Sequence, residues 1–354
     1  LNWRPGSSRA NRKAAAFGDN LWQGRWDVQI GRNQEKAMKP YYWESQHGNF
    51  GDDLNLWLWD FLLPGFRDAH PDTLLVGVGT VLNTALLPEE GRKLVIGSGY
   101  GYGTIPDMRD HERWDVRCVR GPLTAERAGV SPDMGIVDPA VMVAEMPEFK
   151  GLPKRHRKSF VPHWETALAG VWPAICERVG LHYIDPRGEA RSVIREIAQS
   201  ETVIAESMHG AILSDAFRVP WVAVSTSRSI NSFKWNDWAR TVGVRYAPRR
   251  IPVSTRAEAK LKGGRFWGMA FQGEQTASVG DPNSRIIGDD VLVAASNPRQ
   301  TTLRVAAKHA LALPSTVALW QASRDEPQLS SDSVLFDRKT RFLAVLDGVR
   351  RDYL

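Results

Sequence analysis

Thr202-Val203-Ile204-Ala205-Glu206-Ser207-Met208-His209-Gly210-Ala211-Ile212-Leu213 reads as a short buried strand running directly into a helix. Thr202 to Ala205 is short and rich in β-branched residues, as a strand covered on both faces must be. From His209 the apolar character continues to Phe217, long enough for helical turns. The same unit recurs on both sides. Ser159 to Pro162, Leu181 to Ile184 and Val219 to Val224 read as strands. Helices are expected over Thr166–Val179, closed by Gly180, Arg191–Gln199 and Phe233–Val242, closed by Gly243. Strands alternating with helices specify an α/β sheet.

An earlier set has the same logic. Lys39–Glu44, Thr73–Val78, Lys93–Ile96, Trp114–Val119 and Ile136–Val143 read as strands. Asp52–Leu62 reads as a helix stopped by Pro64-Gly65, and Pro122 opens another helix at a position where its missing N–H costs nothing. The expected architecture is two doubly wound, Rossmann-like domains facing a cleft, over residues 38–148 and 158–250. A linker at 149–157 joins them, with Gly151 and Pro153 among basic residues. Residues 1–37 form a basic extension, 251–298 a basic, loop-rich segment, and 299–354 a pair of amphipathic helices, Thr302–Leu313 and Ser333–Arg351.

Composition narrows the class. The chain has 354 residues, a net charge of +6 and 42% hydrophobic residues, enough to build cores and too apolar for disorder. Its two cysteines, Cys118 and Cys176, cannot make a disulfide framework and fit a reducing compartment. No run approaches a spanning helix, and the first 40 residues contain no apolar signal core, so a soluble, cytoplasmic protein is expected. The positive charge concentrates at 1–39, 150–158, 245–265 and 299–354, outside the two α/β units. That distribution is not a nucleic-acid footprint. It suits solvated loops or docking on an anionic membrane face.

Several segments carry chemistry. Gly77-Val78-Gly79 and Gly97-Ser98-Gly99-Tyr100-Gly101-Tyr102-Gly103 follow strands, where backbone can approach a ligand. Neither completes a dinucleotide fingerprint, because Tyr102 stands where a third glycine should fall, and no phosphate-binding Gly-Lys-Ser/Thr follows. Arg120 sits at a strand end before a helix N-terminus, a placement suited to phosphate or carboxylate. His209, at the start of a helix and followed by Gly210, is a candidate general acid/base, with Glu206 or Asp52 as carboxylate partner. Arg228 and Lys234 follow the next strand and face the same cleft edge, so three cations favour a small, multiply anionic substrate. The Gly48–Asp53 loop offers either a helix cap at Asp52 or a substrate-binding turn. The histidines show no close-spaced metal motif, so no metal is expected.

Taken in order, Asn49-Phe50-Gly51-Asp52-Asp53, Gly77-Val78-Gly79, Val119-Arg120-Gly121-Pro122, Asp138-Pro139, His209-Gly210 and Phe233-Lys234 resemble the polysaccharide pyruvyl transferase family over about residues 40–245. Many members carry an arginine two residues before the histidine. This chain has Ser207 there, and Arg228 would replace the charge. The resemblance implies a fold similar to GT-B glycosyltransferases, phosphoenolpyruvate as donor with no cofactor, and a terminal hexose of a glycan or lipid-linked oligosaccharide as acceptor. The product would be a pyruvate ketal. The basic segments outside the two units suit docking on the cytoplasmic face of an inner membrane, where a lipid-linked acceptor would wait. Catalytic roles fall on His209 and Arg120. Arg120, Arg228, Lys234, Ser207 and Gly210 would hold the donor, and Asn49, Gly51, Asp52, Asp53 and Trp235 the acceptor, with Trp238 beside it. The alternatives are a GT-B-like glycosyltransferase using a nucleotide-sugar, and a non-catalytic module of a membrane-associated assembly.

Overall fold

The computed structural model describes residues 37–226, 229–254 and 312–354, with backbone pairing at 265–266 and 269–270. The basic extension, Arg228, most of the 251–298 segment and nearly all of the expected Thr302–Leu313 helix lie outside the described residues.

Two parallel sheets organise the chain. The first sets β1 (Lys39–Tyr41), β2 (Thr73–Val76), β3 (Arg92–Ile96) and β4 (Trp114–Cys118) side by side in sequence order. The second contains β5 (Ser159–Val161), β6 (His182–Tyr183), β7 (Val203–Ala205), β8 (Trp221–Ser225) and β9 (Arg249–Arg250), in the order β6-β5-β7-β8-β9. Every pairing within these two sheets is parallel. The central strands were legible as apolar runs because they are covered on both faces: Leu94, Val95 and Ile96, and likewise Val203, Ile204 and Ala205, are fully buried. In the second sheet β5 connects outward to β6 while β7 connects the other way to β8. The crevice between β5 and β7 is therefore a switch point, where open α/β sheets bind ligands beyond their carboxyl ends.

Helices α1 (Leu58–Leu62), α2 (Pro122–Ala128), α3 (Trp164–Ala167), α4 (Trp172–Val179), α5 (Ala190–Ala198), α6 (Met208–Ala216) and α7 (Ser232–Thr241) connect the strands. Pro122 is the first residue of α2, and Gly129 and Gly180 close α2 and α4 in the left-handed conformation.

Three expectations need correction. The helix over Asp52–Leu62 is a 3-10 turn, Asp52–Leu56, followed by α1. Buried Asn55 breaks it: its amide donates to the Asp52 and Val78 carbonyls while its oxygen accepts from Val78 N and Trp59 Nε1. The strand over Ile136–Val143 is instead a 3-10 helix, Pro139–Glu145, capped by Asp138 Oδ1 accepting from Ala140 N. Pro139 to Val143 are all buried, so the run carries no periodicity to betray its helical form. The Thr166–Val179 helix divides into α3 and α4 at Gly170, whose φ of 70° ends a right-handed turn.

Helix α8 (Leu313–Ala322) packs on α4, and α9 (Asp332–Tyr353) closes the chain. Leu335, Phe342, Leu346, Val349 and Tyr353 of α9 enter one apolar core that also holds Leu62, Phe66 and Met142 from the first half and Trp221 and Trp238 from the second. Polar bonds follow the same path: Arg338 Nε donates to Thr241 O (3.0 Å) and Arg350 Nη2 to Leu62 O (2.6 Å). Among the described residues no helix is long and apolar enough to cross a membrane.

Candidate active site

The carboxyl ends of the two sheets meet, and the loops leaving them interlock. Phe50 N donates to Pro186 O across the halves (3.0 Å), and the Asn231 amide, capping α7 through Phe233 N (2.9 Å), also reaches Gly101 O of the first half. His209 lies in the first turn of α6, whose cap is Ser207: its Oγ accepts from Gly210 N at 3.2 Å. The ring packs directly on the first-half loop, so closely that a Cβ at residue 51 would lie 1.9 Å from His209 Nδ1. Glycine is thus required at 51 for space.

On its other edge His209 faces Asp138. Nε2 and Asp138 Oδ2 stand 3.8 Å apart, both buried, and neither has a hydrogen-bond partner among the described residues. Such a separation is too long for a hydrogen bond, and two unsatisfied buried polar atoms cost free energy. Sites that tighten on substrate binding show this kind of slack. Burial, helped by the nearby Lys234 and Arg120 charges, lowers His209 to about 3, so the ring is neutral at physiological pH. Burial raises Asp138 to about 6. Asp52, whose Oδ2 accepts from Asn49 Nδ2 at 2.5 Å, is raised to about 7, with burial as the main cause, Lys234 opposing it and Asp53 and Asp138 adding to it. One neutral imidazole and two carboxyls lifted toward neutrality form an acid–base set.

Arg120 is fully buried. Nε donates to Asp237 Oδ2 (3.1 Å), Nη1 to Thr80 Oγ1 (2.8 Å) and Nη2 to Tyr100 O (2.8 Å). Asp237 belongs to α7 and also accepts from Thr124 N (2.9 Å) and Thr124 Oγ1 (2.6 Å), so the arginine fastens the strand end of one half to a helix of the other. Its expected fork toward a ligand is instead turned onto protein. The charge still acts on the site, since it bears on His209, Asp52 and Asp138. Lys234 is half-buried, makes no ion pair among the described residues, and holds its Nζ 4.9 Å from the Tyr102 ring centroid.

The glycine runs take their meaning from these side chains. A Cβ at Gly99 would lie 2.1 Å from Arg120 Cζ, and one at Gly101 2.8 Å from Lys234 Cγ. The expected close approach to a ligand is, at these two positions, close approach of the site's own cations.

The structure thus gathers Asn49, Gly51, Asp52, Arg120, His209 and Lys234. Asp53 stands beside them, its Oδ2 accepting from Asn49 N (3.4 Å). Ser207 and Gly210 serve the helix: one is its cap, and the other leaves room for Val161, 3.2 Å from where its Cβ would be. Trp235 is corrected. It is 1% exposed, stacked on Tyr246 (4.7 Å between centroids) and packed with Trp221 and Trp238, which places both tryptophans in the core and not in a cleft wall. Glu206 is no partner of His209: its oxygens accept from Thr226 N (2.8 Å), Thr226 Oγ1 and His163 N (3.0 Å). Asp138 takes that place. Its only sequence signal was the Asp-Pro pair, hidden inside an expected strand. Thr80, Asn231 and Asp237 carried no signal, because the partners that give them importance, Arg120 for Thr80 and Asp237 and Gly101 for Asn231, are remote in sequence.

Between two parallel sheets the chain therefore holds an acid–base set beside one buried and one half-buried cation, a combination able to move protons next to an anionic group. A family profile described as polysaccharide pyruvyl transferase matches residues 49–228, and the chain belongs to that family. It is 72% identical, over 316 residues, to the succinoglycan biosynthesis protein ExoV of Rhizobium meliloti (strain 1021), a stretch covering 89% of this chain and 100% of that one. No solved structure matches it.

Proposed function

We propose that the chain transfers the pyruvyl group of phosphoenolpyruvate to two hydroxyls of a terminal hexose in a succinoglycan-type exopolysaccharide repeat unit, releasing phosphate and forming a pyruvate ketal. The observation that carries this reading is that family segments distant in sequence, the 49–53 loop, Arg120, Asp138-Pro139 and His209-Gly210, assemble around one site. Lys234 and the buried charge of Arg120 supply the positive field that a phosphate and a carboxylate require.

The reaction order follows from the groups present. Asp52, raised to about 7 and so half-protonated near neutrality, would give a proton to C3 of the donor, which becomes the methyl group. The electrophilic C2 then accepts the first sugar oxygen. The C2–O bond to phosphate breaks, phosphate departs carrying one of the two hydroxyl protons in net balance, and the second sugar oxygen closes the ketal. His209, neutral before donor binds, is the base for the hydroxyl protons. Asp138, 3.8 Å from Nε2, would fix the tautomer that leaves Nδ1 able to accept once the pair closes to hydrogen-bond distance on substrate binding. An acceptor carried on a lipid would need the protein at an anionic membrane face. The exposed Leu313, Val317 and Trp320, on one side of α8, are the apolar stripe such docking would use.

The test is turnover by the purified chain with phosphoenolpyruvate and a pyruvate-free glycan. Stabilisation in thermal-shift titration by phosphoenolpyruvate, with none by UDP or GDP, is expected; the reverse pattern would favour a nucleotide-sugar donor.

A further inference from the structure

We infer that the chain carries a second site, at the amino-terminal end of its second sheet, that binds a divalent transition-metal ion through His156, His182 and Glu196. The three residues come from three separate pieces of scaffold. His156 precedes β5 and bridges to Ser200, His182 is the first residue of β6, and Glu196 lies in the last turns of α5. One ligand atom from each lies within 4.8 Å of the other two. The cluster is at the end of the sheet opposite His209, which follows the carboxyl end of β7, so it is independent of the site described above.

The contacts are those of a site holding a proton where a cation can sit. His182 Nε2 and Glu196 Oε2 are 2.5 Å apart, a separation at which an imidazole lone pair and a carboxylate must share a proton. A metal ion replacing that proton keeps both atoms aimed at one point. The His156 ring lies against the His182 ring, with centroids 3.6 Å apart and planes 3° from parallel. Stacked rings do not direct their lone pairs at a common centre. Binding therefore turns the His156 ring about its Cβ–Cγ bond, and its partly exposed position leaves that turn open. Two imidazoles and one carboxylate suit zinc, cobalt or nickel and are a poor set for magnesium or calcium. Three protein ligands leave further positions to water. The bound ion would clip α5 to the starts of β5 and β6. The sequence concealed the cluster because its members are separated by 26 and 14 residues.

The experiment titrates Zn2+ into the chelator-treated full chain by calorimetry and follows Co2+ by its visible absorption. One ion per chain, cobalt bands of a low-symmetry nitrogen–oxygen site, and a Zn2+-dependent rise in melting temperature are expected. His182→Asn, His156→Asn and Glu196→Gln should each weaken binding by at least about tenfold, while His209→Asn should leave it unchanged. Glu196→Gln is conservative at a partly exposed position, so it keeps the test open if a histidine variant fails to fold. Absence of saturable one-to-one binding would overturn the site. So would an affinity indifferent to any one of the three substitutions.

Discussion

At the residue scale, the site depends on three ionisable groups moved from their ordinary ranges by burial. His209→Ala removes the proposed base and should lower turnover at least about 10²-fold with the melting temperature little changed. Asp52 gives a pH signature. Its carboxyl is raised to about 7 in the fold from an ordinary 3.8, so the native state binds a proton that the unfolded state releases. Stability from this group is fully present below pH 4 and is lost as pH rises through 7. Asp52→Asn, which cannot ionise, should therefore gain melting temperature relative to the parent at pH 8, gain less at pH 5, and show little difference only below about pH 4. Turnover of the parent should fall on the alkaline side of pH 7 as the proton donor is lost. Gly51→Ala tests the packing: a methyl 1.9 Å from Nδ1 must displace His209 or the loop, and activity should fall at least as far as in His209→Ala.

At the scale of elements, the strand-to-helix units were readable because buried parallel strands are continuous apolar runs and helix ends carry Pro, Ser, Asn and Gly in their usual places. Reading failed where local composition did not report local conformation. The Pro139–Glu145 turn is buried throughout and so looks like a strand, and Asn55 breaks an otherwise periodic helix through bonds to Val78, which is remote in sequence. The site shows the same division. His209, Lys234 and the 49–53 loop were visible as polar residues at strand ends. Asp138 showed only through the Asp138-Pro139 pair and Asp237 not at all, since their partners come from other elements. Helix α7 is one of the elements that lock the halves, and the bond that Arg120 Nε donates to its Asp237 is completely buried. Asp237→Ala leaves that guanidinium without its counter-charge and should cost about 3–5 kcal/mol in urea unfolding. Asn231→Ala, which removes an N-cap, should cost about 1 kcal/mol.

At the scale of the molecule, two sheets share one apolar core, and α9 belongs to it. Burying Leu335, Phe342, Leu346 and Val349 contributes about 1.5–3 kcal/mol each. A chain ending at residue 331 should accordingly lose its cooperative unfolding transition. The exposed stripe on α8 is a separate matter: Leu313→Ser, Val317→Ser and Trp320→Ser together should abolish flotation with anionic liposomes while leaving the fold intact. Equal flotation by the variant and the parent would clear α8 of that role.

In the proposed reaction the acid–base set between the two sheets joins the pyruvyl group of phosphoenolpyruvate to a glycan. The most direct measurement combines proton NMR of the glycan with phosphate release during incubation with the purified chain. A new ketal methyl signal in one-to-one ratio with phosphate, lost in His209→Ala, is expected. A glycan left without that signal by the folded chain and its donor, or an equal signal from His209→Ala, would contradict it.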